Sequence, residues 1–132
     1  MHQLKVEEAI SETTYHNGCI ELINYSLTDT DLSLYLQYWE SEELEVIKFV
    51  KTSMNDQQLN ELLNFVHQNS VHTLVLSGNN LTEVCLDAFL NYLRVDNGLK
   101  NVYLSKNNIN TLRGNTREKI NLLRSKGINL YI

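Results

Sequence analysis

Four histidines, two cysteines and a run of glutamates are the residues of this chain with the means to do chemistry. His2, His16, His67 and His72 could bind a metal or act as a general base, but none stands in an HxxxH or HExxH spacing. His67 and His72 flank a helix-to-strand turn, where an imidazole is solvated or caps the backbone. Cys19 and Cys85 form no CxxC pair, and no base is nominated to activate either thiol. Both read as reduced, structural thiols of a cytosol-like compartment, Cys85 on a buried helix face and Cys19 just ahead of a strand. The acidic run ESEELE (40–45) lacks the alternating oxygen ligands and the glycine of a calcium loop, and reads as a solvated helix end. Gly78 and Gly114 are isolated in turns, without the GxxxxGK of a phosphate cradle, and Trp39 falls at a core position of a helix. The expectation is no catalytic residue, no metal ligand and no cofactor.

Bulk properties narrow the class. At 132 residues the chain holds one domain with a moderate core. Its hydrophobic content of 42% and charged content of 20% are those of a globular protein. A net charge of −5 disfavours non-specific binding to nucleic acid or to an anionic membrane. No apolar run reaches the roughly 18 residues of a membrane span, and the opening MHQLKVEEAIS lacks the basic-then-apolar order of a secretory signal.

The elements that would position a site announce themselves by repetition. TLVLSGNNL (73–81) returns as NVYLSKNNI (101–109), an offset of 28 that carries Leu74 to Val102, Leu76 to Leu104, Asn79 to Asn107 and Leu81 to Ile109. Stepping back by 27 lands on Leu44, Ile47, Phe49, Thr52 and Met54, and by 27 again on Asn17, Ile20, Leu22, Tyr25 and Leu27. A forward step reaches Leu130 and Ile132. The phrase alternates apolar and polar residues, which is the strand period. Between the phrases, Leu32, Tyr35, Leu36 and Trp39 recur as Leu59, Leu62, Leu63 and Val66, then as Leu86, Phe89, Leu90 and Leu93. That spacing is one face of an amphipathic helix. Asp29 or Asp31, Asn55 or Asp56, and Thr82 stand where N-caps belong, and Asn115 with Glu118 resembles a capping box. Each unit therefore reads as a short strand, a turn and a helix of about three turns.

The phrase matches L-x-x-L-x-L-x-x-N-x-L, as VHTLVLSGNNL and LKNVYLSKNNI, and so resembles the leucine-rich repeat. A period of 27 to 28 with a full helix in each unit is similar to the ribonuclease-inhibitor-like class. The resemblance implies an α/β solenoid, a short horseshoe arc with a parallel β-sheet on the concave face and α-helices on the convex face. Residues 1–132 would form a single domain: an N-terminal cap over 1–16 built on Leu4, Val6, Ala9 and Ile10, repeats starting near 17, 44, 71 and 99, and a final strand over 128–132. Asn79 and Asn107 would satisfy backbone groups where the chain leaves the strand; Thr52 could do part of that work, and Tyr25 could not. The last helix carries Ile120 and either Leu123 or Leu122 toward the core.

With the strands on the concave face, the outward letters of each phrase can be named. They are Glu21, Ile23 and Asn24; Lys48, Val50 and Lys51; Val75, Ser77 and Gly78; Tyr103, Ser105 and Lys106; and Tyr131. Three lysines stand there against one glutamate, whereas Asp29, Asp31, Glu40, Glu42, Glu43, Glu45, Asp56, Glu61, Glu83 and Asp87 fall on helices and loops. A tyrosine-bearing strip dotted with lysine suits a protein partner with an acidic rim. The leading expectation is a non-catalytic protein-interaction module in the cytoplasm. The alternatives are a targeting or regulatory piece of a larger enzyme, and a secreted bacterial effector acting in host cytoplasm, which the composition resembles; RNA binding ranks below both. An uncovered terminal strand would mean either a fragment or self-association through that edge.

Overall fold

The computed structural model describes residues 2–93 and 98–132, with side chains outside the described set at residues 2–4, so that the expected roles of His2 and Leu4 are not tested. Period-two alternation builds β2 (Cys19–Ile23), β3 (Val46–Val50), β4 (Thr73–Val75), β5 (Asn101–Tyr103) and β6 (Asn129–Tyr131). These five pair in parallel in sequence order, and β1 (Thr14–His16) adds an antiparallel edge beside β2. Ile20, Leu22, Ile47, Phe49, Leu74, Leu76, Val102 and Leu104 point inward and are almost wholly buried.

Helices α1 (His2–Glu12), α2 (Leu32–Gln37), α3 (Asp56–Gln68), α4 (Val84–Tyr92) and α5 (Gly114–Ser125) cover the inner side of the sheet. Their apolar stripes meet the strands in one continuous core, which runs from Val6 and Ala9 of α1 to Ile120 and Leu123 of α5. Leu122 points out to solvent, so Leu123 is the inward leucine of α5.

Side chains cap the starts of α2 and α3. Asp31 caps α2 by accepting from the Leu34 N–H at 3.1 Å. Asn55 and Gln58 form a reciprocal capping box at α3. Thr82 is not the N-cap expected of it: that position in α4 is Glu83, whose side chain makes no capping bond, and the Thr82 hydroxyl accepts from Val84 N–H at 3.2 Å one residue ahead of it.

Three further expectations are corrected. The helices are not uniformly of three turns: α2 has six residues, and beyond Gln37 the chain tightens into i→i−3 bonds, as in Trp39 N–H to Leu36 O. Trp39 consequently lies past the helix end, buried against Tyr35, Tyr38 and Tyr15 rather than on a helix face. Asn115 and Glu118 form no capping box, because α5 starts two residues earlier, with Arg113 at the N-cap; the Arg117 N–H to Arg113 O bond closes its first turn. Finally, the N-terminal cap is more than a helix. Asn17 (φ 49°) and Gly18 (φ 80°) both adopt left-handed backbone and turn β1 onto β2. Two adjacent positive-φ residues suit a tight hairpin, and Asn-Gly is the pair that tolerates them best. A Cβ at Gly18 would also come within 3.2 Å of the Glu43 carbonyl oxygen.

The far edge of the sheet is occupied. Asn129 N–H donates to Lys100 O and Tyr131 C=O accepts from Leu104 N–H, the residues on either side of β5, so the Leu130 carbonyl between them faces away from that strand. That carbonyl accepts from Arg124 Nη2 at 2.8 Å and Nε at 3.3 Å. A second copy pairing along this edge would have to displace the guanidinium, a common way of blunting an edge strand. Arg124→Ala is expected to cost about 1 kcal/mol for the lost charge-assisted bonds and to promote association. Sedimentation over a rising concentration series checks this; a variant that associates no more than its parent would refute the blocking role.

Candidate partner-binding face

The register of the parallel ladder sorts the outward side chains into rows. Glu21, Lys48, Val75, Tyr103 and Tyr131 are directly aligned, with Thr14 joining across the hairpin. Lys48 Nζ lies 3.7 Å from Glu21 Oε2, a half-exposed pair that contributes little to stability. At the other end the Tyr103 and Tyr131 rings stack, with centroids 4.4 Å apart and planes 11° from parallel. A second row runs from Ile23 and Val50 to Ser77 and Ser105, whose hydroxyl oxygens are 3.0 Å apart. Ile23 is 47% exposed and Tyr131 48%, large apolar areas for a folded surface.

A further row lies upstream, where the expected site had only core and flank. Cys19, Val46, Thr73, Asn101 and Asn129 share one register position. Asn129 donates to Asn101 Oδ1 at 2.9 Å, and Asn101 donates to Thr73 Oγ1 at 3.1 Å. His72 Nδ1 completes the chain 2.8 Å from the same hydroxyl, so this histidine orders the surface. The alternation that gave the other rows held the signal: each of these residues stands two positions before a named one. Burial, partly offset by Lys48, keeps the Cys19 thiol above its ordinary pKa, so it is not poised as a nucleophile.

The third row is where the backbone turns. Asn24, Lys51, Gly78 and Lys106 all have left-handed backbone, with φ of 57°, 56°, 73° and 58°. Behind them the turn is locked by asparagine. Buried Asn79 accepts through Oδ1 from Thr52 N–H (2.8 Å), Thr52 Oγ1 (2.9 Å) and Met54 N–H (3.1 Å). Its Nδ2 donates to Phe49 O at 2.7 Å and Leu76 O at 2.9 Å. Asn107 does the same one unit on, accepting from Leu81 N–H and donating to Leu76 O and Leu104 O. Thr52 thus contributes by donating to its neighbour's asparagine, and its carbonyl accepts from Leu27 N–H. Tyr25 turns its hydroxyl to Glu8 instead, at 3.1 Å.

Carboxylates serve the opposite side of the arc. Asp56 accepts from Thr82 N–H and Oγ1 at 3.0 and 2.6 Å, and Glu83 accepts from Asn110 N–H at 2.9 Å. This backbone bond holds the Glu83 carboxyl below its ordinary pKa. Glu40, Glu42, Glu43 and Glu45 line a cleft of about 760 Å³ at the rim, and Asp29, Asp31 and Glu61 another of about 520 Å³. Among the described residues no group of three or more His, Cys, Asp and Glu could hold a metal ion. Nor is any described helix long and apolar enough to cross a membrane.

No family model matches the chain, and no curated protein matches it. Among solved structures it is similar to one described as Leiomodin-1 Actin-Binding Site 2 (ABS2), with a TM-score of 0.64 over 96% of this chain and 89% of that one. The fold is a leucine-rich-repeat-like arc. At 12% identity the likeness is one of fold alone. In such an arc the strand rows form the concave face, and the expected site residues come together there: Glu21, Lys48, Val75, Tyr103 and Tyr131 in one row, Ile23, Val50, Ser77 and Ser105 in the next, Asn24, Lys51 and Lys106 in the third.

Proposed function

We propose that this chain is a non-catalytic interaction module that grips a protein partner with its concave face. The observation that carries the reading is the composition of the aligned rows over the last three strands. Thr73, Ser77, Asn101, Tyr103, Ser105, Asn129 and Tyr131 are held in register, and the tyrosines are already stacked. Tyrosine gives contact area at small entropic cost, while serine and asparagine give adaptable hydrogen bonds, the mixture that recognition loops use. Ordering these side chains before binding lowers what association must offset. The neighbour's description as an actin-binding site accords with a protein partner and makes actin the first to try. Two free cysteines, one of them buried, fit a cytoplasmic setting.

The test is affinity capture from cell lysate, together with co-sedimentation with filamentous actin, for the parent and for Tyr103→Ala/Lys48→Ala. The double variant is expected to lose at least tenfold in partner recovery while its melting temperature moves by only a few degrees. Undiminished recovery by a folded variant overturns the concave-face reading.

A further inference from the structure

Lys51, Gly78 and Lys106 stand at one repeat position in the turns that follow three successive strands, and all three, like Asn24 in the unit before, are left-handed. Glycine takes that backbone without strain and lysine does not. The fold therefore tolerates strain twice where glycine, used once in the same row, would avoid it. Strained positions kept in a repeated frame point toward function.

Charge gives the second observation. The chain carries sixteen carboxylate side chains against eleven lysines and arginines. Among the described residues the ion pairs are Lys48 with Glu21 and Lys119 with Asp87. Lys51 and Lys106 are exposed and belong to neither.

The third observation is shape. A Cβ on Gly78 would stand 2.9 Å from Lys51 Cγ, so the missing side chain leaves room for the Lys51 stem between the two lysine positions. The two lysines are two strands apart, about 10 Å along the sheet. An extended polyproline-like segment rises about 3.1 Å per residue and repeats its face every third residue, placing side chains i and i+3 about 9 Å apart. Ser77 and Ser105, their hydroxyls already paired, lie beside the path, with the Tyr103–Tyr131 stack on the same face.

We propose that the Lys51–Gly78–Lys106 notch receives an extended acidic segment of a partner protein, running across the strands with carboxylates three residues apart, one on each ammonium. This rests on the concave-face reading and specifies the partner's chemistry.

Fluorescence anisotropy with a labelled Glu-Gly-Gly-Glu repeat peptide, its Gln-Gly-Gly-Gln counterpart and a single-stranded RNA oligonucleotide tests the notch. The glutamate peptide is expected to bind at least tenfold tighter than the glutamine peptide, with affinity falling as salt rises. Lys51→Gln/Lys106→Gln should weaken it tenfold or more, whereas Lys100→Gln/Lys126→Gln, an equal change of charge elsewhere, should leave it within twofold. Lys51→Gly/Lys106→Gly should bind as poorly while melting at a higher temperature than the parent. Equal losses in both glutamine doubles, tighter binding of RNA, or no peptide binding would each overturn the proposal. The wider reading is judged separately: a partner lost on Tyr103→Ala/Lys48→Ala but kept on Lys51→Gln/Lys106→Gln sinks the notch alone, and one kept on both sinks both.

Discussion

Replacing Asn79 with alanine is expected to destabilise the fold by about 4 kcal/mol, through buried backbone groups left without partners. The side chain is 4% exposed and forms five close hydrogen bonds that join two successive units. Alanine would leave the N–H groups of Thr52 and Met54 and the carbonyl of Phe49 facing a dry gap that their own unit cannot fill. For a chain of this length the loss corresponds to a fall of roughly 12 °C in melting temperature. Asn107→Ala should cost about half as much, since Asn107 is only half-buried and makes three close bonds. Asn79→Asp should not rescue, because a carboxylate keeps the acceptor but turns a second oxygen onto the Phe49 and Leu76 carbonyls. Urea unfolding of the three variants checks the order; an Asn79→Ala loss under about 1 kcal/mol would mean that water replaces the amide.

The second large effect is expected in alkali. Burial pushes the Tyr35 phenol up from 10.0 to about 12, and the Cys85 thiol up from 9.0 to about 12. Both pKa values are raised in the folded state, so the protonated forms are favoured there. The stability is fully present below pH 9 and is lost as pH rises through the folded value of about 12. At pH 11 the two groups together account for about 4 kcal/mol of lost stability, on the order of 1.4 kcal/mol per pH unit above each unfolded pKa. The Tyr35 hydroxyl lies 2.7 Å from Thr13 Oγ1, which itself donates to Ala9 O, so ionisation also loosens α1. Denaturant midpoints from pH 8 to 11.5 should fall steeply in the parent and much less in Tyr35→Phe/Cys85→Ala. Parallel curves would show that other groups govern alkaline unfolding.

Much of this frame could be read from spacing, because a strand-turn-helix unit must bury a fixed set of positions and the chain repeats that set. Leu74, Leu76 and Asn79 are recognisable because Val102, Leu104 and Asn107 repeat them. The length of α2 was not legible: its apolar spacing continues to Trp39, while the backbone tightens after Gln37 around three neighbouring aromatic rings. The hairpin at Asn17-Gly18 was written in plain turn chemistry, but the repeat frame assigned those residues to a unit start. Asp56 and Glu83, 27 apart, carried a repeat signal of their own, obscured by reading acids at helix starts only as caps or solvated charge. Arg124 carried none, since a guanidinium reaching a carbonyl six residues on follows no period. On the face itself, three rows were named and the Thr73–Asn101–Asn129 row was missed by starting each strand one alternation too late.

The asparagines have a direction. Asn79 closes the turn at Thr52 and Met54, and Asn107 reaches the Leu76 carbonyl and Leu81 N–H, so the amides of these two turns are held by the asparagine of the following unit. In a quasi-one-dimensional array these asparagines carry part of the nearest-neighbour coupling, and Asp56 and Glu83 carry bonds in the opposite sense, to Thr82 and Asn110 of the following unit. Hydrogen exchange should therefore report on the wrong unit: the amides of Thr52 and Met54 measure the opening of β4 and its turn, and that of Leu81 the opening of β5. Loosening of one unit is thus read at amides that belong to its neighbour.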